Sequence, residues 1–77
     1  PLMLKTADQI SVTQTAIIKE IIDSPLKLNL MELGFMPGKA ITLKYSAPMG
    51  GPMAFQIDET ILALRKNEAS LIQVQLP

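Results

Sequence analysis

The sequence predicts a mainly β domain: a small, partly closed barrel of about five strands with one short α-helix after the first strand. Apolar and polar residues alternate strictly in three separate segments, which is typical of half-buried strands. The chain has 77 residues, enough for one hydrophobic core and too few for two, so residues 1–77 are taken as a single domain. Apolar residues make up 48% of the chain, which is enough to offset the entropy of ordering it.

The alternating segments are the most direct strand signals. In the first of them, Ile41, Leu43 and Tyr45 share one face of the chain. The same period recurs twice closer to the C-terminus. The strands predicted from this pattern cover residues 40–46, 52–58 and 71–76.

Two further strands are predicted with a less regular pattern. Residues 14–22 are rich in β-branched side chains, and their doubled isoleucines break the alternation, so we expect a bulge or a bend there. Residues 59–66 are apolar on both faces, which suits a strand that is covered on each side or lies at one end of a barrel. Residues 58–60 would connect this strand to the preceding one, and residues 66–70 would form one short helical turn.

Residues 24–34 fit a strand or a helix by period, and the ends of the segment decide for a helix. Leucines alternate there, but helical spacing also relates Leu26, Leu30 and Leu33. Ser24 is a good N-cap, and Pro25 suits the first helical turn. Gly34 is the residue type favoured in a left-handed conformation just past a helix end.

Two clusters of glycine and proline are interpreted as turns. After the helix, Phe35 would pack back on it, and Pro37-Gly38 would form a turn that leads into the strand at residue 40. The second cluster, Ala47–Met53, would be a long turn between two strands, in which glycines relieve steric limits and prolines stiffen both shoulders. Its turn residues are Pro48, Gly50, Gly51 and Pro52. With these connections the predicted elements resemble an SH3-like barrel.

The residue types present argue against catalysis and against a metal centre. The chain has no His and no Cys, so it lacks the usual general base, the thiol nucleophile, and the imidazole and thiolate ligands of iron and zinc. Five methionines could bind Cu(I), but Met also fills gaps in small cores and lines adaptable contact surfaces. We therefore expect no enzymatic activity, no cofactor and no metal site.

Charge and hydropathy argue against nucleic-acid binding and membrane insertion. Seven basic and seven acidic residues cancel, whereas a nucleic-acid binder usually has a basic excess. The apolar runs are far shorter than the roughly 20 residues that span a bilayer. Residues 1–9 lack the pattern of a signal peptide. A small domain without cysteine fits a reducing compartment such as the cytoplasm.

Three motifs follow one another in a fixed order: LMELGFMPGKAITL, APMGGPMAFQI and ILALRKNEASLIQV. Together they resemble the FeoA family, the small cytoplasmic component of bacterial ferrous iron uptake, and the resemblance covers residues 14–74. Family members often carry a basic residue in place of Asn29 and an Asp in place of Gly51, so this chain has less charge there. The matching positions are Leu30, Leu33, Gly34, Pro37, Gly38, Pro48, Gly50, Pro52, Ala63, Leu64, Arg65, Glu68 and Ala69.

The resemblance implies a non-enzymatic regulatory or assembly module of iron transport. Its implied partner is FeoB, the membrane GTPase that carries iron, which would recruit the domain to the inner face of the membrane. FeoA-like domains also form the C-terminal part of DtxR-type metal-dependent repressors. A domain detached from such a repressor, or from a FeoA–FeoB fusion, is therefore an alternative.

Two other classes of binding domain fit the composition less well. A small-barrel nucleic-acid binder needs aromatic side chains for base stacking, and a receptor for proline-rich peptides needs an aromatic-lined groove. The chain has one Tyr, two Phe and no Trp. This small number of aromatic residues argues against both classes.

An uncharged docking patch is predicted from the helix and the second turn cluster. If Leu30 and Leu33 face the core, one of the other helix leucines must face outward. Methionines near the turns would adapt to the shape of a partner. Met53 alternates with Phe55 and can equally belong to the core. The predicted partner-binding residues are Leu26, Leu28, Met36, Met49, Gly50 and Gly51.

Overall fold

Six antiparallel strands form one sheet in the computed structural model, which describes residues 3–77. The strands are β1 (Met3–Thr6), β2 (Thr15–Ile21), β3 (Ala40–Ser46), β4 (Met53–Ile57), β5 (Thr60–Leu64) and β6 (Ile72–Leu76). A 3₁₀ turn covers Ala7–Gln9, and the two α-helices are α1 (Lys27–Glu32) and α2 (Lys66–Ala69). The strand order β1-β6-β2-β3-β4-β5 confirms the predicted mainly β fold class and adds β1, which was not predicted.

The inward faces of the strands build a single core. β4 and β6 alternate buried and half-buried residues without interruption, as predicted. Phe35, which follows α1, meets Phe55 of β4 edge to face, with ring centroids 6.4 Å apart and planes at 89°. Such a T-shaped pair adds about 0.5–1.5 kcal/mol beyond its buried area. Met53 is 4% exposed, so it is a core residue.

A β-bulge in β2 explains its doubled isoleucines and confirms the predicted irregularity. Ile18 pairs with Val74 of β6 and Glu20 with Gln73, so Lys19 is the extra residue. Because of this extra residue, Ile18 and Ile21 both point into the core although they are three positions apart. The bulge thus keeps one buried face along a strand whose sequence does not alternate.

A second bulge, in β3, corrects the predicted position of Tyr45. Leu43 pairs with Phe55, and Tyr45 pairs with Ala54 rather than with a core residue of β4. Lys44 is the extra residue, and it reverses the inward and outward alternation at this end of the strand. Tyr45 therefore lies on the outer face of the sheet with 58% of its surface exposed.

The end of α1 is a Schellman motif centred on Gly34. The Gly34 N–H donates to the Met31 carbonyl at 3.0 Å, and the Phe35 N–H donates to the Leu30 carbonyl at 3.1 Å. Gly34 has φ of +112°, a conformation that side-chain-bearing residues rarely adopt. Leu30 and Phe35 are both buried, which supplies the hydrophobic contact that usually accompanies this motif.

The start of α1 differs from the prediction by two residues. The N-cap position is Leu26, not Ser24, and Pro25 precedes the helix. The Ser24 hydroxyl accepts a hydrogen bond from the Leu26 N–H at 3.2 Å, and the Ser24 carbonyl accepts one from the Lys27 N–H at 3.1 Å. Ser24 thus satisfies backbone donors that precede the helix proper, in the manner of a cap.

The turn between α1 and β3 is held against β2. The Lys39 N–H donates to the Met36 carbonyl at 3.1 Å, with Pro37 and Gly38 at the two central positions and φ of +92° at Gly38. This is the pattern of a type II turn. The Gly38 N–H also donates to the Ile18 carbonyl at 2.8 Å, so the turn fixes where β3 starts.

β5 lies at one edge of the sheet, so of the two positions expected for it, covered on each side or at one end of a barrel, the second is the closer match. Its inward residue Leu64 is buried, but Ile61 on the outer face is 59% exposed. Ala63, the next residue of β5 on that outer face, is exposed as well. None of the helices in the described residues is long and apolar enough to cross a membrane.

Candidate docking surface

The turn between β3 and β4 is closed by two backbone hydrogen bonds. The Ala47 N–H donates to the Pro52 carbonyl at 2.9 Å, and the Gly51 N–H donates to the Pro48 carbonyl at 3.2 Å. The two central residues both have positive φ, +60° at Met49 and +75° at Gly50. Positive φ at both central positions is the signature of a type I′ turn, whose twist matches that of the flanking strands.

Met49 occupies an unusual position for its residue type. The first central position of a type I′ turn normally holds Asn, Asp or Gly, because other side chains are strained at positive φ. The Met49 side chain is also fully exposed, at 102% of the reference surface. The turn thus holds a large apolar side chain away from the domain at some conformational cost, a combination that points to use at the surface.

The outer face beside this turn is partly apolar, and the exposed Lys44 of the bulge lies next to Tyr45. Tyr45 pairs with Ala54, and Ala54 pairs with Ala63 across β4 and β5. Ile61 lies on the same outer face, but it pairs with Gln56, which pairs with Thr42 near the start of β3, so Ile61 lies towards the opposite end of the sheet from this turn. We call the exposed residues Tyr45 and Met49 the hairpin surface; they are 58% and 102% exposed.

Gly51 has a steric role that the sequence did not reveal. A Cβ at this position would lie 2.7 Å from the Ala47 Cβ and 3.2 Å from the Pro48 carbonyl oxygen. Its φ is not positive, so close packing and not backbone freedom requires glycine here. Gly50 differs, because a Cβ there would meet nothing and only its φ of +75° favours glycine.

A second group of exposed apolar residues surrounds α1. We call Leu28, Leu33 and Met36 the helix group; their exposed fractions are 68%, 51% and 44%. Leu33 was expected to face the core, but α1 ends at Glu32 and Phe35 fills the core position instead. Leu26, predicted as a docking residue, packs against the core as a partly buried side chain.

The structure does not bring the two groups together into one patch. α1 packs against β2, and Met36 lies in the turn that precedes β3. Met49 lies in the turn that follows β3, at the opposite end of that seven-residue strand. Strands rise about 3.3 Å per residue, so the groups are separated by most of the length of β3. The predicted continuous patch is therefore two surfaces.

Ionic interactions are few among residues 3–77. The ion pair found in residues 3–77 joins Lys39 Nζ and Asp58 Oδ2 at 2.8 Å, with both side chains well exposed. A surface pair of this kind contributes at most about 1 kcal/mol. Within the same residues, no three His, Cys, Asp or Glu side chains come together as a group that could hold a metal ion.

Several residues of the third sequence motif have structural roles. The Arg65 N–H donates to Glu68 Oε1 at 2.7 Å, so the Glu68 carboxylate caps the start of α2. Leu64 and Ala69 are buried, at 3% and 0% exposure. The LRKNEA segment therefore forms the end of a strand and a capped helix. The exposed residues of β3–β5 remain as candidates for function.

The fold and the exposed surface define a small SH3-like domain. The chain belongs to the FeoA family, because the FeoA domain model matches residues 5–76. The crystal structure of Stenotrophomonas maltophilia FeoA complexed with zinc, a prokaryotic SH3 domain protein, is 28% identical with a TM-score of 0.81. That match covers 91% of this chain and 93% of the Stenotrophomonas chain.

Two other similar proteins are larger than this chain. A Porphyromonas gingivalis fusion of Fe(2+) transport protein A with the Fe(2+) transporter FeoB is 36% identical over 47 residues, which span 61% of this chain and 6% of the fusion. A manganese-dependent transcriptional repressor has a TM-score of 0.85 over 96% of this chain and 42% of its own, at 14% identity. The likeness to the repressor is one of fold alone.

Proposed function

We propose that this domain is a non-enzymatic accessory module of ferrous iron transport that docks on a FeoB-type membrane GTPase transporter. The Porphyromonas relative carries both proteins on one chain, and this fusion is the observation that most directly supports the proposal. Two domains joined on one chain meet at a high effective concentration, which favours even a weak functional contact between them. The domain would act in the cytoplasm, at the inner face of the membrane.

The hairpin surface is the proposed docking site. Tyr and Met are enriched at protein interfaces, and Tyr45 and Met49 are exposed here without an intramolecular reason for their position. A partner strand or loop of apolar character would bury both side chains. The strain at Met49 supports the same assignment, because an Asn or Gly would satisfy the turn better.

The test is to measure binding of the purified domain to the FeoB-type transporter of the same organism, held in nanodiscs, by biolayer interferometry. We expect Met49→Asp to weaken binding by about 1–3 kcal/mol, a range typical of an interface anchor. Its melting temperature should stay nearly unchanged, because Asp tolerates positive φ and the Met49 side chain is fully exposed.

Two matched variants locate the effect. Leu28→Asp places the same charge on the helix group, and Leu4→Asp places it on β1 at the other edge of the sheet, where Leu4 is 60% exposed. We expect both to bind like the unmodified domain. Loss of binding with Leu28→Asp alone would move the docking site to the helix group. Equal binding by all three folded variants would refute docking through either surface.

A second candidate is that the domain is one part of a longer polypeptide. The fusion relative favours this arrangement, and the repressor shares the fold. The coding sequence on either side of this domain discriminates between a transporter fusion, a repressor and a separate domain. A reading frame that continues into a P-loop GTPase domain and membrane-spanning segments indicates a fusion. A helix-turn-helix encoded before this domain indicates a repressor.

A further inference from the structure

The five methionines of this domain differ widely in exposure. Met49 is 102% exposed, whereas Met3 and Met36 are 50% and 44% exposed. Met31 packs against the core as a partly buried side chain, and Met53 is 4% exposed. Access to the thioether sulfur largely determines how readily a methionine is oxidised, so these side chains form a graded series within one molecule.

The environment of Met49 leaves its sulfur open to reagents. The side chain lies at the tip of a type I′ turn between Pro48 and Gly50, and its exposure shows that no neighbouring group shields it. A sulfoxide at this position would displace no core atoms. It would, however, replace the most exposed apolar side chain of the hairpin surface with a polar, chiral one.

We propose that Met49 is a peroxide modification site and that its oxidation releases the domain from its partner. The thioether sulfur attacks one oxygen of the peroxide, the O–O bond breaks, and an S–O bond forms. The departing hydroxide takes the remaining proton and leaves as water. Sulfur is oxidised by two electrons and the peroxide is reduced by two. The effect on binding rests on the proposed function, but the site of oxidation does not.

The first experiment measures the site of oxidation alone. The intact domain is treated with limiting hydrogen peroxide, and each methionine is followed by peptide mapping and mass spectrometry. We expect Met49 to oxidise first, several-fold faster than Met36 and roughly tenfold or more faster than Met53, whose sulfur is reached only when the fold opens. The melting temperature should not change at one oxygen per molecule. Oxidation of Met36 at the rate of Met49, or faster, would overturn the assignment.

The second experiment tests the consequence for binding. We expect the singly oxidised domain to bind the FeoB-type transporter roughly tenfold more weakly than the untreated one, as for loss of an interface anchor. Binding by Met49→Leu, measured before and after treatment, should not respond to peroxide, whereas Met36→Leu should remain sensitive. Met49→Gln, which imitates the polar sulfoxide, should bind weakly without peroxide.

The outcomes separate this inference from the proposed function. If the untreated domain does not bind the transporter, the proposed function fails, and the order of oxidation still decides whether Met49 is the modification site. If the untreated domain binds and oxidation at Met49 leaves its affinity unchanged, docking stands and the switch is refuted. Treatment with methionine sulfoxide reductases should restore the binding lost on oxidation, which excludes irreversible damage as its cause.

Discussion

At Gly34 the backbone has φ of +112°, and a Cβ built there would meet no atom within 4 Å. At Gly51 the backbone φ is not positive, and a Cβ would lie 2.7 Å from the Ala47 Cβ. One glycine is therefore required by its conformation and the other by the space available. The sequence predicted the first, because a helix end calls for glycine by a local rule. It did not reveal the second, because the contact depends on how the turn folds back on Ala47.

Gly34→Val tests the conformational requirement. We expect it to lower the free energy of unfolding by about 1 kcal/mol or more, since a β-branched residue is poorly tolerated at positive φ. Gly34→Asn should cost less, because Asn is the side-chain-bearing residue most often found just past a helix end. Chemical denaturation of both variants measures the difference. Equal stability of Gly34→Val and the unmodified domain would contradict the positive φ.

Gly51→Ala tests the steric requirement. We expect it to cost about 1–3 kcal/mol of stability, as for other overpacked positions. Ala47→Gly removes the atom that the new methyl group would meet, so Ala47→Gly combined with Gly51→Ala should recover part of that loss. A double-mutant cycle measures the coupling between the two sites. Simple additivity of the two changes would show that they do not touch.

Among the elements, strict alternation predicted β4 and β6 well because their buried residues alternate without a break. The doubled isoleucines predicted the irregularity in β2, since no single register buries them all. The bulge in β3 has no such signal, so Tyr45 was assigned to the wrong face. The edge position of β5 follows from which strands pair, a non-local property. The hairpin surface could therefore be predicted only at Met49, and Tyr45 was missed.

The orientation of Tyr45 gives a prediction for the β3 bulge. Tyr45→Lys should change the free energy of unfolding by no more than about 0.5 kcal/mol, because its side chain lies on the exposed outer face. Leu43→Ala, two residues earlier and 1% exposed, should cost about 2–5 kcal/mol. Thermal and denaturant unfolding of the pair gives the comparison. A large loss of stability in Tyr45→Lys would place Tyr45 in the core and remove the bulge.

For the whole molecule, the residue types present and the positions of the possible ligands predict weak metal binding. Seven acidic residues are present without any His or Cys, and within residues 3–77 no three potential ligands form a group. Carboxylates that are scattered and solvated bind Fe(II) and Zn(II) weakly, since each ion needs several ligands at once. We therefore expect calorimetric titration of either metal into the metal-free domain to show no stoichiometric site tighter than roughly micromolar. The Stenotrophomonas relative was crystallised with zinc, so the two proteins should be titrated side by side. Tight binding by this domain would mean that ligands from separate molecules are brought together, and a concentration-dependent change in oligomeric state would accompany it.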